Sequence, residues 1–324
     1  MTVFISYLAP SITSFIQYRK ASDHWNESSY EINLKLFDRY CYECNPDTYA
    51  ELTQETANSW CRQRENEQNN SCRSRIYVVV SFIKFLRDRR LTNVFPPSLP
   101  RKEPRTYIPH AFTTEELAAF FHECDRISVR KNVLQDECRR LTVPVFFRLL
   151  YSSGIRTNEA RLLKTENVDL VHGIIDIRYS KGHDQHYIVL HDSMLALMRE
   201  YDEAISRLVP YRLYFFPSRK GLNYTKGWVT KTFRQLWDPI KTSHATAYEF
   251  RHHYAVTNIN LWIDEGFDFN DKLIHLSKSM GHTVIESTKY YYSIVPGLSD
   301  IMKEKTEEGF NWIIPEVQDD EEDF

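Results

Sequence analysis

A proline-rich stretch at residues 96–109 constrains the fold of this chain more than any other feature of its sequence. The stretch holds five of the 13 prolines. Because proline lacks a backbone N–H and clashes with the preceding helical turn, a helix cannot continue through it. A chain of 324 residues can form two separate cores. We therefore predict a first domain at 1–95, a linker at 96–111, a second domain at 112–315 and an acidic tail at 316–324.

The segment before the linker is predicted to be helical, with helices near 30–44, 51–66 and 71–90. The last of these combines an apolar side with many basic residues. Such a helix suits contact with DNA phosphates, although basic runs are also common on ordinary solvated surfaces. The residues that we predict to contact DNA are Arg73, Arg75, Lys84, Arg87, Arg89, Arg90 and Lys102.

The formal net charge of -3 does not argue against a nucleic-acid partner, because the acidic tail dominates it. Six acids lie at the end of the chain, and leaving them out changes the charge from -3 to -3 + 6 = +3. They are Glu316, Asp319, Asp320, Glu321, Glu322 and Asp323. The rest of the chain is therefore mildly basic.

The N-terminal residues 1–10 lack the basic start, long apolar run and small-residue cleavage site of a secretion signal. The sequence also contains no run of eighteen apolar residues. We therefore expect a soluble, cytoplasmic protein.

Cys41 and Cys44 form a C-x-x-C pair, which is one half of many zinc sites. Cys61 and Cys72 are too far apart in sequence to supply a second close pair. Cys41 and Cys44 also continue a helical apolar stripe, in which thiols behave as small hydrophobic groups. We therefore favour packing over metal binding.

The segment after the linker is predicted to be mainly helical with a small β element. Thr113–Glu116 has the capping-box pattern that begins a helix, and a further helix is predicted at about 145–151. Apolar residues then alternate on both sides of Lys181, which predicts a β-hairpin with this lysine at its turn. The predicted fold class is mainly α with a small β-hairpin or sheet.

Four short segments carry residues suited to phosphate chemistry. They are Leu149–Glu159, Tyr179–Gly182, Tyr248–His252 and Met280–Tyr292. In their order and spacing they resemble the catalytic domain of the tyrosine recombinase, or phage integrase, family. The resemblance covers about residues 112–295, and the helical segment before the linker looks like the core-binding domain of that family.

The resemblance can be followed residue by residue. Arg156 follows a Ser-Gly-Ile turn and has an acid, Glu159, three residues later. Lys181 lies on the hairpin, and Arg251 and His252 complete an x-x-R-H pattern. His282 follows a glycine, and Tyr291 lies nine residues after it, where the family has its nucleophile.

The resemblance implies a site-specific DNA recombinase that cleaves and rejoins DNA through a 3′-phosphotyrosine. Phosphodiester attack builds negative charge on the nonbridging oxygens, and the planar fork of an arginine binds such oxygens through paired hydrogen bonds. By this resemblance, Arg156 and Arg251 bind the phosphate and Lys181 protonates the leaving oxygen. Glu159 and His252 support these residues from behind. The resemblance implies no cofactor, neither ATP nor a metal.

A tyrosine hydroxyl has a pKa of about 10 and needs help to lose its proton, for which His282 is the first candidate. The nucleophile itself must be chosen from three adjacent tyrosines, and spacing selects Tyr291 over Tyr292 and Tyr290. One departure from the family pattern is Tyr248, which stands where the family usually has a histidine. Its hydroxyl can still donate a hydrogen bond to phosphate, but it carries no positive charge.

The family also implies partners and a setting. We expect double-stranded DNA with a specific target site, a homotetramer assembled on DNA through the C-terminal segment, and a bacterial or mobile-element protein that acts on the chromosome. Three alternatives stay open at this point: a DNA-binding member of the fold with weak or no strand exchange, a relaxing enzyme of the type IB topoisomerase kind, and a noncatalytic helical regulator.

Overall fold

The computed structural model describes residues 3–22, 25, 27–103, 107, 109–128, 130, 133–178, 185–218, 220–240, 243–261, 268–282 and 288. The chain divides into two compact units, Met1–Thr106 and Tyr107–Phe324. We call them the N-terminal and C-terminal units. The division lies within the predicted linker at 96–111.

The N-terminal unit is helical. After one π-helical turn at Glu27–Glu31, its second helix continues without a break. The helices are α1 (Ala9–Ala21), α2 (Ile32–Cys44), α3 (Gln54–Cys61) and α4 (Asn69–Asp88). The helices predicted near 30–44 and 71–90 are confirmed as α2 and α4, whereas α3 is shorter than predicted and α1 was not predicted.

Helix α4 forms the centre of this unit and packs against α1, α2 and α3. Its inner side carries Ile76, Val79, Phe82 and Ile83, all with no exposed surface. Burial of such side chains stabilises a fold by about 1.5–3 kcal/mol each. The buried stripe therefore fixes which residues of α4 can face solvent.

The cysteine pair of α2 is divided between core and surface. Cys41 is fully buried, as predicted, whereas Cys44 at the end of the helix is exposed. The prediction that both thiols pack in the core is therefore correct for Cys41 and wrong for Cys44, because the apolar stripe ends one turn before the helix does. Among the described residues, no group of three His, Cys, Asp or Glu side chains is arranged to hold a metal ion.

The C-terminal unit is built from helices around a small sheet. The first, α5, begins with the predicted capping box, in which Thr113 and Glu116 exchange side-chain and backbone hydrogen bonds. The helices are α5 (Thr114–Asp125), α6 (Leu134–Ser153), α7 (Thr157–Arg161), α8 (Asp192–Leu208), α9 (Lys226–Trp237), α10 (Glu249–Leu261) and α11 (Asp268–Ser279). Helix α6 begins well before the predicted 145–151 and contains Pro144 in its interior.

The sheet has three antiparallel strands, β1 (Val168–Asp169), β2 (Ile174–Ile177) and β3 (His186–Val189). The register pairs Ile175 of β2 with Ile188 of β3. This pairing confirms the predicted hairpin, and its turn lies outside the described residues. The prediction of a mainly α fold with a small sheet is also confirmed.

An aromatic cluster fixes helix α10 inside the C-terminal unit. The Phe250 ring has no exposed surface and lies 5.0–5.8 Å, centroid to centroid, from the rings of Phe112, Phe120 and Phe233. Aromatic contacts of this kind add about 0.5–1.5 kcal/mol per pair to the free energy of burial. The packing of Phe250 therefore fixes the rotation of α10 about its own axis, and with it the direction of the next residue, Arg251.

None of the helices in the described part of the chain is both long enough and apolar enough to cross a membrane.

Candidate active site

Arg156 lies at the start of α7, after a sharp turn out of α6. Its Nη1 is 2.6 Å from Oε1 of Glu159, and its backbone N–H donates to the other carboxylate oxygen of Glu159 at 3.0 Å. Nη2 of Arg156 donates to the carbonyl oxygen of Gly281 at 2.8 Å. The Arg156 side chain is 17% exposed, so the carboxylate orients a guanidinium that still reaches the surface.

Arg251 lies in the first turn of α10 and is only 2% exposed. Its Nη1 donates to the carbonyl oxygen of Gly154 at 2.7 Å, and its Nη2 donates to that of Met280 at 2.6 Å. The same Nη2 lies 3.0 Å from Nε2 of His282. These bonds hold the Arg251 guanidinium in one orientation.

The two arginines thus converge on the same short segment, residues 280–282, although 95 positions separate Arg156 from Arg251 in the chain. The hydrogen bond from Arg251 to the carbonyl oxygen of Gly154 also connects Arg251 to the turn before Arg156. Three of the four segments singled out in the sequence therefore form one hydrogen-bonded cluster.

The glycines of this cluster are required by both conformation and space. Gly154 and Gly281 each have a φ of 62°, in the left-handed region that favours glycine. A Cβ on Gly154 would lie 2.4 Å from Cδ1 of Tyr254, and one on Gly281 would lie 2.5 Å from Cε1 of His186. Each glycine also presents its carbonyl oxygen to an arginine, so these turns position the guanidinium groups directly.

His282 has a defined protonation state in this arrangement. Because Nη2 of Arg251 can only donate, Nε2 of His282 must accept, which leaves the proton on Nδ1. Nδ1 lies 2.7 Å from Oγ1 of Thr288 and donates to it. Burial, followed by the charges of Arg251 and Arg156, lowers the pKa of His282 to about 4. The ring is therefore neutral near pH 7, and a bound phosphate would raise its pKa by offsetting the two positive charges.

His186 belongs to this cluster but was not predicted from the sequence. It lies on β3, is 7% exposed, and its Nε2 is 4.0 Å from Oε2 of Glu159. A signal for it exists, since residues 186 and 188 share the inner face of the strand by alternation. His186 fills the space that Gly281 leaves open, so strand β3 packs against residues 280–282.

Tyr248 and His252 lie one turn apart at the start of α10. The Tyr248 side chain is exposed, and its ring meets that of His252 edge to face with centroids 5.2 Å apart. His252 is buried, and burial together with the charge of Arg251 lowers its pKa to about 4. His252 therefore supports Tyr248 from behind as a neutral ring.

Glu249 is a second residue that the sequence did not reveal. It is 1% exposed, and its carboxylate accepts hydrogen bonds from the Tyr107 hydroxyl and from the backbone N–H of Thr246 at 2.5 Å. Burial raises the pKa of Glu249. The carboxylate ties the first residue of the C-terminal unit to the turn that precedes Arg251.

Two predicted catalytic residues, Lys181 and Tyr291, lie outside the described residues, as do Tyr290 and Tyr292. Their assignments stay predictions.

The predicted DNA-contacting residues of the N-terminal unit fall into three groups. Lys84, Arg89, Arg90 and Lys102 are exposed. Arg73 and Arg87 are half-buried, with Arg73 donating to the carbonyl oxygen of Pro100 at 2.8 Å and Arg87 lying 3.6 Å from the centroid of the Phe95 ring. These six residues can still reach a ligand at the surface.

Arg75 forms the third group, and its placement argues against the predicted DNA contact. It is 7% exposed, and its Nε and Nη2 each lie 2.7 Å from a carboxylate oxygen of Glu67. Its Nη1 donates to the carbonyl oxygen of Trp60 at 2.7 Å. We therefore correct its role to a structural one, because the buried side of α4 extends to this position.

The chain is similar to recombinases in sequence. The profile of the phage integrase family matches residues 111–296. The chain is 26% identical over 267 residues to the putative integrase/recombinase y4rB of Sinorhizobium fredii, covering 78% of this chain and 82% of that protein. It is 25% identical over 251 residues to the tyrosine recombinase XerC of Chlorobaculum parvum, covering 69% of each.

Solved structures show the same fold. The XerH site-specific recombinase bound to a palindromic difH substrate matches with a TM-score of 0.61 and 16% identity, covering 86% of this chain and 78% of that one. A lambda integrase tetramer bound to a Holliday junction matches with a TM-score of 0.57 and 12% identity, covering 88% and 76%. At these identities the likeness shows the fold alone.

Proposed function

This chain belongs to the phage integrase family and is a tyrosine recombinase, and from that premise we propose that Tyr291 cleaves DNA at a phosphate held by Arg156 and Arg251. The observation that supports this most directly is the convergence of both arginines on residues 280–282. Tyr291 follows that segment by nine residues, as in the family pattern.

The proposed reaction is a phosphoryl transfer in two reversible steps. As the Tyr291 hydroxyl gives its proton to His282, the Tyr291 oxygen attacks phosphorus, the bond to the 5′ oxygen breaks, and Lys181 supplies the proton that this leaving oxygen requires. A 5′ hydroxyl of a partner strand then attacks the phosphotyrosine and releases Tyr291. Each step replaces one phosphate ester with another, so the reaction needs no external energy source.

The arginines supply fixed positive charge where negative charge develops on the nonbridging oxygens. Removal of one such preorganised donor raises the activation free energy by about 2.7–4 kcal/mol, which slows the reaction by a factor of about 10²–10³. Glu159 keeps the Arg156 guanidinium in one orientation and so limits the reorganisation needed at the moment of reaction. Tyr248, whose side chain is exposed, would add a neutral hydrogen-bond donor to the phosphate.

We propose that the DNA partner carries a specific target site. The six accessible basic residues of the N-terminal unit would add phosphate contacts, which raise affinity but carry no sequence information. A duplex recovered by repeated selection from a random-sequence pool with the full-length chain gives the substrate for the tests below. Recovery of no preferred sequence would instead favour the relaxing-enzyme alternative.

The nucleophile is tested with a nicked version of that duplex, which traps the covalent intermediate because the released short strand diffuses away. We expect a denaturant-resistant protein–DNA adduct with the wild-type chain. The adjacent tyrosines provide matched controls: Tyr291→Phe should abolish the adduct, whereas Tyr290→Phe and Tyr292→Phe should retain it. An adduct that persists in Tyr291→Phe would refute the assignment.

We further propose that the active assembly is a homotetramer joined through the C-terminal segment. Leu298, Ile301 and Met302, and the later Trp312–Ile314, provide apolar residues beyond the proposed nucleophile. Truncation after Ser293 should reduce complexes with DNA to monomers and dimers, measured by mass photometry. Normal tetramers formed by the truncated chain would contradict this proposal.

A further inference from the structure

A cationic cavity of about 270 Å³ lies beside the candidate active site in the C-terminal unit. Its inner wall includes the apolar side chains of Val229 and Phe233 on α9. Its polar part carries three basic residues, which are Arg161, Lys226 and Arg234. Among the described residues that line it, none is acidic. The described part of the wall therefore concentrates positive charge.

Arg161 is the basic residue of this cavity whose surroundings are the least favourable to a positive charge. The residue is half-buried, its Nε donates to Oδ1 of Asn158 at 2.8 Å, and its Nη1 donates to the carbonyl oxygen of Tyr224 at 3.1 Å. Both of these partners are neutral. Burial lowers the pKa of Arg161, which reflects the cost of holding a cation away from water. An anion bound in the cavity would offset that cost.

Chain connectivity places the cavity next to both catalytic arginines. Thr157 and Asn158, which line it, directly follow Arg156. Tyr248, which also lines it, lies three residues before Arg251 and is exposed. An anion in the cavity would therefore lie near the phosphate assigned to Arg156 and Arg251.

DNA is a ligand that carries many anions close together along its backbone. Each strand has one phosphate per about 3.4 Å of helix axis, so a duplex held at one phosphate presents others nearby. A second fixed phosphate would also restrict rotation of the duplex about the first. A free mononucleotide could occupy one of the two sites but could not couple them.

We propose that this cavity binds a second phosphate of the DNA backbone while Arg156 and Arg251 hold the phosphate that is cleaved. The inference rests on the proposed function and adds to it a positioning site formed by Arg161, Lys226 and Arg234. Arg161 and its neighbours act on the reaction by fixing the register of the duplex and do not touch the reacting atoms.

The first test is the salt dependence of binding to a duplex of unrelated sequence, measured by fluorescence anisotropy with the full chain. Each lost phosphate contact lowers the slope of log affinity against log salt by about one. Arg161→Gln and Lys226→Gln should each show this loss. Lys231→Gln, on the same helix but outside the cavity lining, is the matched control and should leave the slope nearly unchanged. Equal losses in all three variants would overturn the proposal, because they would show a general electrostatic attraction between the protein and DNA in place of a specific contact in the cavity.

The second test locates the phosphate by neutralising one position at a time with methylphosphonate in the selected duplex. Neutralisation at one position next to the cleavage site should weaken wild-type binding about tenfold. The same substitution should weaken Arg161→Gln or Lys226→Gln far less, because the contact is already absent. Effects that add independently at every position would overturn the cavity assignment. A wild-type chain that forms no adduct would instead refute the proposed function, and both binding tests would still report on the cavity.

Discussion

Nη2 of Arg251 lies 3.0 Å from Nε2 of His282, so the arginine holds this ring in one tautomer. We expect nitrogen NMR of the DNA-free protein to show His282 neutral at pH 7 with its proton on Nδ1. Its titration should be centred well below the ordinary histidine range, at about pH 4. Titration near pH 6.5 would contradict the arrangement.

His282 and His252 together predict a pH dependence of stability. Both have a folded-state pKa of about 4, below the unfolded value of 6.5. The unfolded chain therefore binds protons first as the pH falls, so the free energy of unfolding should be constant above about pH 6.5 and decrease between pH 6.5 and 4. Urea unfolding across this range measures it. His252→Gln should flatten the decrease, and an unchanged profile in that variant would contradict the assignment.

The two glycines of the site predict a clear contrast in stability. Gly154→Ala and Gly281→Ala place a Cβ within 2.5 Å of a neighbouring ring at a φ of 62°. Gly221→Ala is the matched control, since its φ of 72° is similar but its nearest contact is a comfortable 3.5 Å. A left-handed backbone costs a non-glycine residue about 1–3 kcal/mol, so the control should lose about that much and the two site variants clearly more. Equal losses in all three would show that the close contacts do not matter.

The sequence predicted the local parts of this site but not the bonds between them. The turn before Arg156 and the glycine before His282 are visible as short patterns. The hydrogen bond from Arg156 to Gly281 joins residues 125 positions apart, and no local pattern contains it. His186 was missed for the same reason, because its role depends on which segment packs against the hairpin.

Arg75 shows the opposite difficulty. Its position on α4 continues the buried stripe through Cys72 and Ile76, but its charge suggested a surface role. Burial of an arginine requires a partner, and Glu67 lies before the helix begins, where helical periodicity carries no information. A charged residue on an apolar stripe is therefore ambiguous until its counter-ion is located.

The Arg75–Glu67 pair should contribute to stability and not to DNA binding. Removal of one partner of a buried pair costs about 3–5 kcal/mol, so Arg75→Met should lower the free energy of unfolding of the N-terminal unit. Lys84→Gln, at an exposed position of the same helix, should leave stability nearly unchanged and lower the salt slope of DNA binding by about one. A lower salt slope with full stability in Arg75→Met would restore the original prediction.

The Arg75–Glu67 pair also predicts a loss of stability in acid, at a lower pH than the loss caused by the histidines. Its hydrogen bonds to Arg75 lower the pKa of Glu67 to about 2 from its ordinary value of 4.5. The stabilisation is fully present above about pH 4.5 and is lost as the pH falls toward 2. Glu67→Gln should remove this part of the pH profile, and a profile that Glu67→Gln leaves unchanged would contradict the pairing.

Tyr248 provides a graded test of how positive charge acts at this site. Tyr248→Phe removes one neutral hydrogen-bond donor, worth about 0.5–1.5 kcal/mol, so adduct formation on the nicked duplex should slow by less than about tenfold. Arg251→Ala should slow it by about 10²–10³ because it removes a fixed charge. Tyr248→His is the informative third variant. A protonated imidazole adds a charge-assisted donor, so its rate should rise above wild type as the pH falls below the pKa of the new ring. A rate in Tyr248→His that stays at the Tyr248→Phe level at every pH would show that this side chain does not reach the phosphate.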